Sequence, residues 1–194
     1  MTIRIIGGTF RGRRIETAGP LTRPLLERVR EAVFNILVDE VDGATVWDLF
    51  AGTGANGIEA LSRGAERVLF VEKANRALRV LHGNLDDLDL GDDPQVEVLR
   101  GNAWDPPLES LEDASKAREA VPDLVFLDPP YPDVRSDPTL AVDRVSNLLQ
   151  RVRPGGTLVF HFPDGVLDED DLSPLGTVDL RVWGTTAVAF LERA

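Results

Sequence analysis

The chain has no cysteine among its 194 residues, only two histidines, one methionine and one tyrosine, and of its basic side chains only Lys73 and Lys116 are lysine. Without cysteine there can be no disulfide and no thiolate-bound metal. His82 and His161 are too few and too far apart to suggest a metal site. Nowhere does the sequence approach the roughly 18 uninterrupted apolar residues of a membrane span. The opening MTIRIIGGTFRGRR lacks the apolar core of a secretory leader. A soluble cytoplasmic protein, monomeric and without metal, is expected. With 43% hydrophobic residues, 17 glycines and 13 prolines, the chain can bury a core as a single domain over 1–194. Collagen-like and wholly disordered readings are excluded.

The charge is unevenly divided. Residues 1–30 hold seven arginines against Glu16 and Glu27, a net of +5, whereas the other 164 residues hold 14 basic and 31 acidic side chains. A basic arm therefore precedes an acidic body, and the total is −12. Contact with a polyanion should be confined to a local footprint on the arm, through Arg11, Arg13, Arg14, Arg23 and Arg28, because the body repels it.

From Thr45 onward, short β-branched runs alternate with amphipathic stretches, the rhythm of a parallel α/β sheet. Strands are predicted at 45–49, 67–72, 95–100, 123–128, 156–162, 177–183 and 187–192, and helices near 56–63, 74–86, 108–119 and 139–152. Only GTT at 184–186 separates the last two strands. That is too short for a crossover helix and requires an antiparallel hairpin. Upstream, Val29, Ala32, Val33, Ile36 and Leu37 keep helical spacing behind Pro24, which predicts a helix over 26–38. The stretches IRII and RGRRI around Gly7 and Gly8 read as a small hairpin, so 1–25 forms a basic extension and 26–194 a core.

Two segments carry chemistry. In VWDLFAGTGANGIEAL, Gly52, Gly54 and Gly57 form G-x-G-x-x-G between a strand and a helix, a turn that lets a ligand approach the backbone beside unpaired helix N–H groups. Glu72 ends the next strand, 20 residues after Gly52, where a carboxylate can accept from ribose hydroxyls. A dinucleotide would place its pyrophosphate on that helix end, close to Asp48. A carboxylate there suits a cationic ligand end instead, such as the amino or sulfonium region of S-adenosylmethionine, and shifts the reading from NAD-dependent dehydrogenase toward methyltransferase. The second segment is Asp128-Pro129-Pro130-Tyr131, directly after the strand DLVFL. Paired prolines stiffen the turn and remove two backbone donors, which leaves carbonyls and a carboxylate as acceptors for an exocyclic base amine, with Tyr131 as a stacking face.

The chain resembles the RsmD family of bacterial methyltransferases. The resemblance lies in RIIGGTFRGRRI, RPLLERVREAVFNIL, WDLFAGTGANGIEALSRGAERVLFVEK, DLVFLDPPY, RPGGTLVF and the terminal hairpin around RVWGTT, in that order over nearly the whole chain. It implies a Rossmann-like class I methyltransferase fold, with a seven-stranded, mostly parallel sheet ending in an antiparallel hairpin. It also implies S-adenosylmethionine as cofactor and methylation of the exocyclic N2 of a guanine in small-subunit (16S) ribosomal RNA, as naked RNA or as an assembled ribonucleoprotein. By this resemblance Asp48, Gly52 and Gly54 would line the methionine end, Glu72 the ribose, and Asn102 and Ala103 the adenine, with Ala51 and Lys73 also binding the cofactor. Asp128, Pro129, Pro130 and Tyr131 would hold the guanine amine. The chain departs from the family pattern at Asn102, where Asp is usual, and at Leu25 and Leu26, where threonines are usual. The alternatives are a DNA adenine-N6 or other amino-methyltransferase, and a non-catalytic RNA-binding module of the same fold.

Overall fold

A computed structural model describes residues 1–17, 24–110 and 121–194, with backbone alone for 24–26 and Ser110. The basic extension is an antiparallel hairpin of β1 (Thr2–Arg4) and β2 (Arg14–Glu16), whose register pairs Ile3 with Ile15. Both isoleucines point into the core. Helix α1 (Pro24–Ile36) follows, starting at its proline, whose missing N–H costs nothing in the first turn.

The core alternates β3 (Thr45–Leu49), α2 (Ala55–Ser62), β4 (Arg67–Glu72), α3 (Asn75–Asp86), β5 (Val96–Arg100) and β6 (Leu124–Leu127). Then come α4 (Tyr131–Ser136), α5 (Pro138–Leu149), β7 (Thr157–Pro163), α6 (Glu169–Leu172), β8 (Thr177–Trp183) and β9 (Thr186–Glu192). The sheet order is β5-β4-β3-β6-β7-β9-β8, with the first five strands parallel and β9 antiparallel to both neighbours. Strand β9 is the inner member of the terminal hairpin because its run TAVAFL is buried throughout, whereas β8 alternates with Asp179 and Arg181 and forms the edge.

Strand order reverses between β3 and β6, so a crevice opens at their carboxyl ends, the usual ligand position of an open α/β sheet. One face carries α1, α2 and α3 through Phe34, Ile58 and Leu81. The other carries α4 and α5 through Val134, Ala141 and Val145.

Three expectations change. The DPPY turn runs directly into α4, where no helix was expected: Tyr131 is its first residue, and Pro132 suits a first helical turn. The last strand begins at Thr186, since Gly184 with φ 63° allows a two-residue turn that pairs Trp183 with Thr186. Of the helix expected at 108–119, a 3₁₀ turn at Leu108–Ser110 is seen, and 111–120 lie outside the described residues.

Candidate active site

Asp48 stands one residue before the end of β3 and is 1% exposed. Its Oδ2 accepts the Gly57 N–H at 2.8 Å, tying the strand to the first turn of α2. Burial, aided by the charges of Asp128 and Glu72, pushes the carboxyl up to about 8 against the pull of that N–H. Sign follows from this direction. A carboxyl raised on folding favours the folded state in its protonated form, so its contribution fades as pH rises from the ordinary carboxylate range through about 8. A cationic ligand placed against Asp48 would favour the charged form, so its binding at pH 7 should release a proton. Calorimetry in buffers of differing ionisation enthalpy should show this release, and Asp48→Asn should abolish it. Buffer-independent heats with the unaltered protein would count against a cation at this position.

The three motif glycines divide their labour. Gly52 has φ +58° and opens onto free space, since a Cβ there would meet only the Phe50 carbonyl oxygen at 3.9 Å. A Cβ on Gly54 would lie 2.4 Å from Leu81, and one on Gly57 2.2 Å from the Phe70 ring. Gly52 is thus the glycine a ligand can reach, while Gly54 and Gly57 make room for the core. Ala51 is buried, and its N–H donates to the Val71 carbonyl at 3.1 Å.

Glu72 is nearly buried and accepts three backbone amides: Gly52 on Oε2 at 2.9 Å, and Lys73 and Ala74 on Oε1 at 2.8 and 2.7 Å. The carboxylate therefore holds the glycine turn in shape. A carboxylate offers about four lone-pair sites, so acceptor capacity remains for a ribose hydroxyl.

Lys73, Arg100, Asn102, Trp104, Asp133 and Arg144 line an open pocket of about 600 Å³ beside this loop. Exposed Asn102 accepts the Trp104 N–H on Oδ1 at 3.2 Å, and Ala103 is buried beneath the turn. Trp104 meets the Phe50 ring edge-on at 5.2 Å, and the Arg144 guanidinium lies 5.3 Å from its ring centre. Phe50 itself holds φ 59°, a left-handed conformation that is uncommon for an aromatic residue and is kept by the buried β3 end.

At the neighbouring strand end, Leu49 pairs with Leu127, and the Asp128 N–H points to the Leu49 carbonyl at 3.4 Å. The glycine loop and Asp128-Pro129-Pro130-Tyr131 therefore leave the sheet at the same level. The Asp128 side chain is 45% exposed. Pro129 is buried and Pro130 exposed. The Tyr131 hydroxyl lies 2.8 Å from Oγ1 of buried Thr186 on β9.

A family model described as Conserved hypothetical protein 95 matches residues 3–192. The chain belongs to this, the RsmD family. An RsmD-family relative, Ribosomal RNA small subunit methyltransferase D of Escherichia coli, is 37% identical over 131 residues, 66% of this chain and 60% of that enzyme. The Bacillus subtilis protein YlbH, provisionally named an rRNA methyltransferase, is 32% identical over 192 residues, 98% of this chain and 99% of that protein. A solved Thermus thermophilus 16S rRNA N2 G1207 methyltransferase (RsmC), in complex with AdoMet and guanosine, superposes on all of this chain and half of that one. Its TM-score is 0.71 at 23% identity, a likeness of fold, and that fold is the one of S-adenosylmethionine-dependent methyltransferases.

The stretch RIIGG has a structural task in this chain. Buried Glu59 on α2 accepts the Ile6 and Gly7 amides, each at 2.8 Å, and the Arg63 Nε at 2.8 Å. Ser62 accepts the Phe10 N–H at 2.9 Å and donates to the Gly7 carbonyl at 2.5 Å. A Cβ on Gly8, at φ +73°, would lie 1.6 Å from the Ser62 carbonyl oxygen. The motif is a clasp fastening the arm to the helix behind the glycine loop.

The arginines of the arm separate accordingly. Arg11 and Arg28 are exposed and line a recess of about 330 Å³ with Glu27 and Glu31. Arg13 donates to the Asp87 carbonyl and Arg14 to Thr2 Oγ1 at 3.1 Å, so part of their bonding capacity is used within the chain. Arg23 and the side chains of Leu25 and Leu26 lie outside the described residues. Sequence reasoning missed Glu59, Phe50, Trp104, Arg144 and Thr186. Phe50 lies between Asp48 and Ala51, Glu59 two residues after Gly57, Trp104 two residues from Asn102 and Thr186 within RVWGTT, so only Arg144 stood apart from the motifs read in the sequence.

Proposed function

We propose that this protein, acting as a cytoplasmic monomer, transfers a methyl group from S-adenosylmethionine to the exocyclic N2 of a guanine in small-subunit ribosomal RNA. The observation that carries the reading is the placement of the Gly52 loop and the Asp128 turn side by side at the strand-order reversal, where cofactor and base amine must meet. The residues fit the cofactor. Gly52 faces open space, Glu72 keeps spare acceptor capacity, and Asp48 offers a carboxyl to a positive end. When bound, S-adenosylmethionine supplies a methyl carbon made electrophilic by its sulfonium. Lys73, Asn102 and Ala103 would border its nucleoside.

The chain's own work is positioning. Guanine N2 is a weak nucleophile because its lone pair is delocalised into the ring. Asp128 and the Pro129 carbonyl would accept its N–H groups and favour a more pyramidal nitrogen, and Pro130 keeps the turn stiff. Tyr131, steadied through Thr186, would stack on the base. Incubation with tritiated S-adenosylmethionine and unmodified small subunits, naked rRNA or duplex DNA tests this directly. N2-methylguanosine from RNA is the expected product. Label in DNA adenine alone, or cofactor binding with no label in any substrate, would overturn the reading.

Arg11 and Arg28 would carry the RNA footprint, since both are exposed on one recess. Changing both to Ala should weaken RNA binding and reduce the slope of log affinity against log salt by about 1 to 2, at unchanged cofactor affinity. A filter-binding salt series checks this, and an unaltered slope would remove the pair from the interface.

A further inference from the structure

His161 lies near the end of β7, on the strand next to Asp128, and the reading above leaves it without a task. Phe160 and Phe162 point to the face of α4 and α5, so alternation sends the imidazole to the opposite face, with Val159. The residue is 8% exposed. Its Nδ1 lies 3.6 Å from Asp128 Oδ2, and its Nε2 has no hydrogen-bond partner among the described residues. A buried polar atom without a partner is costly, and an apolar residue would pack at this position without that cost. The feature that only a polar ring supplies here is the contact with Asp128.

That face also carries charged groups of other elements, among them buried Asp48 on β3, Glu59 on α2 and Arg181 on β8. Among the described residues, Asp128 alone comes within salt-bridge distance of the imidazole.

We propose that His161 is a positioning residue for Asp128: its Nδ1–H holds carboxylate oxygen Oδ2 and leaves Oδ1 to accept from the target amine. This rests on the guanine-amine reading given above. The 3.6 Å separation is longer than a hydrogen bond, and such contacts tighten when substrate fills a site.

The test compares kcat at one pH for the unaltered enzyme, His161→Phe and His161→Asn, with cofactor affinity and melting temperature as controls. It adds ¹⁵N shifts of the His161 ring in the unaltered protein and in Asp128→Asn. His161→Phe should lose about tenfold in kcat and keep its cofactor affinity. His161→Asn, which can still donate to Asp128, should recover part of the rate. The ring shifts should move in Asp128→Asn. A His161→Phe enzyme with kcat within about twofold, or ring shifts indifferent to Asp128→Asn, would overturn the role. If the unaltered enzyme methylates guanine and Asp128→Asn is inactive while His161→Phe behaves normally, only the positioning role falls. If no guanine is methylated, the parent reading falls and this one with it.

Discussion

Asp128→Asn should lower turnover on RNA by about 100- to 1000-fold while leaving cofactor affinity within about twofold, the scale seen when one preorganised polar partner of a transition state is removed. The substitution conserves shape. Asn can still accept through its carbonyl oxygen, but it lacks the negative charge that would stabilise positive charge growing on the target amine, and its own NH₂ competes with the amine's N–H groups. Folding should be little affected, because the side chain is 45% exposed and its close side-chain neighbour is His161. Single-turnover rates with saturating cofactor, together with a calorimetric affinity, separate the two quantities. A variant with full turnover would mean that Asp128 does not hold the amine. A variant that no longer binds cofactor would mean that Asp128 supports the glycine loop instead.

Glu59→Ala should destabilise the fold by about 3 to 5 kcal/mol, the usual cost of removing one partner of a buried ionic network. Glu59 is 1% exposed and serves three donors: the Ile6 and Gly7 amides and the Arg63 guanidinium. Deleting its carboxylate leaves two amides unpaired at the clasp and a cation that is 16% exposed without its partner. Arg63 would keep its stacking over Phe34, at 4.9 Å, which offsets only part of the loss. Urea unfolding measures the difference. Glu59→Gln, which retains an acceptor oxygen, should fall between the two. A Glu59→Ala protein within about 1 kcal/mol of the unaltered chain would show that the arm is held mainly by Ile3, Ile5 and Ile15 in the core.

These two residues show how unequally the site could be read in advance. Asp128 stands in a tetrapeptide whose prolines, strand end and tyrosine all advertise a special turn. Glu59 sits inside a helix as one more acid among 33 and announces little, because the two backbone amides it holds are 52 and 53 residues away. His161 likewise looks like a strand residue between two phenylalanines until the sheet order sets β7 beside β6. Glu72 was legible as an acid at a strand end, but its three amide bonds were not, since they depend on how tightly the glycine turn folds back.

The sequence by itself determined the seven strands, the hairpin at the end, the glycine loop after β3 and the acceptor turn after β6. Each of these depends on alternation, turn chemistry or loop length over a few neighbouring residues. Tertiary structure alone decided which glycine opens onto free space, which arginines are engaged within the chain, which acid fastens the arm and which histidine faces Asp128. Those outcomes depend on the relative placement of residues far apart in the chain. The partner a buried polar group takes is set by the packing around it, which no local pattern encodes.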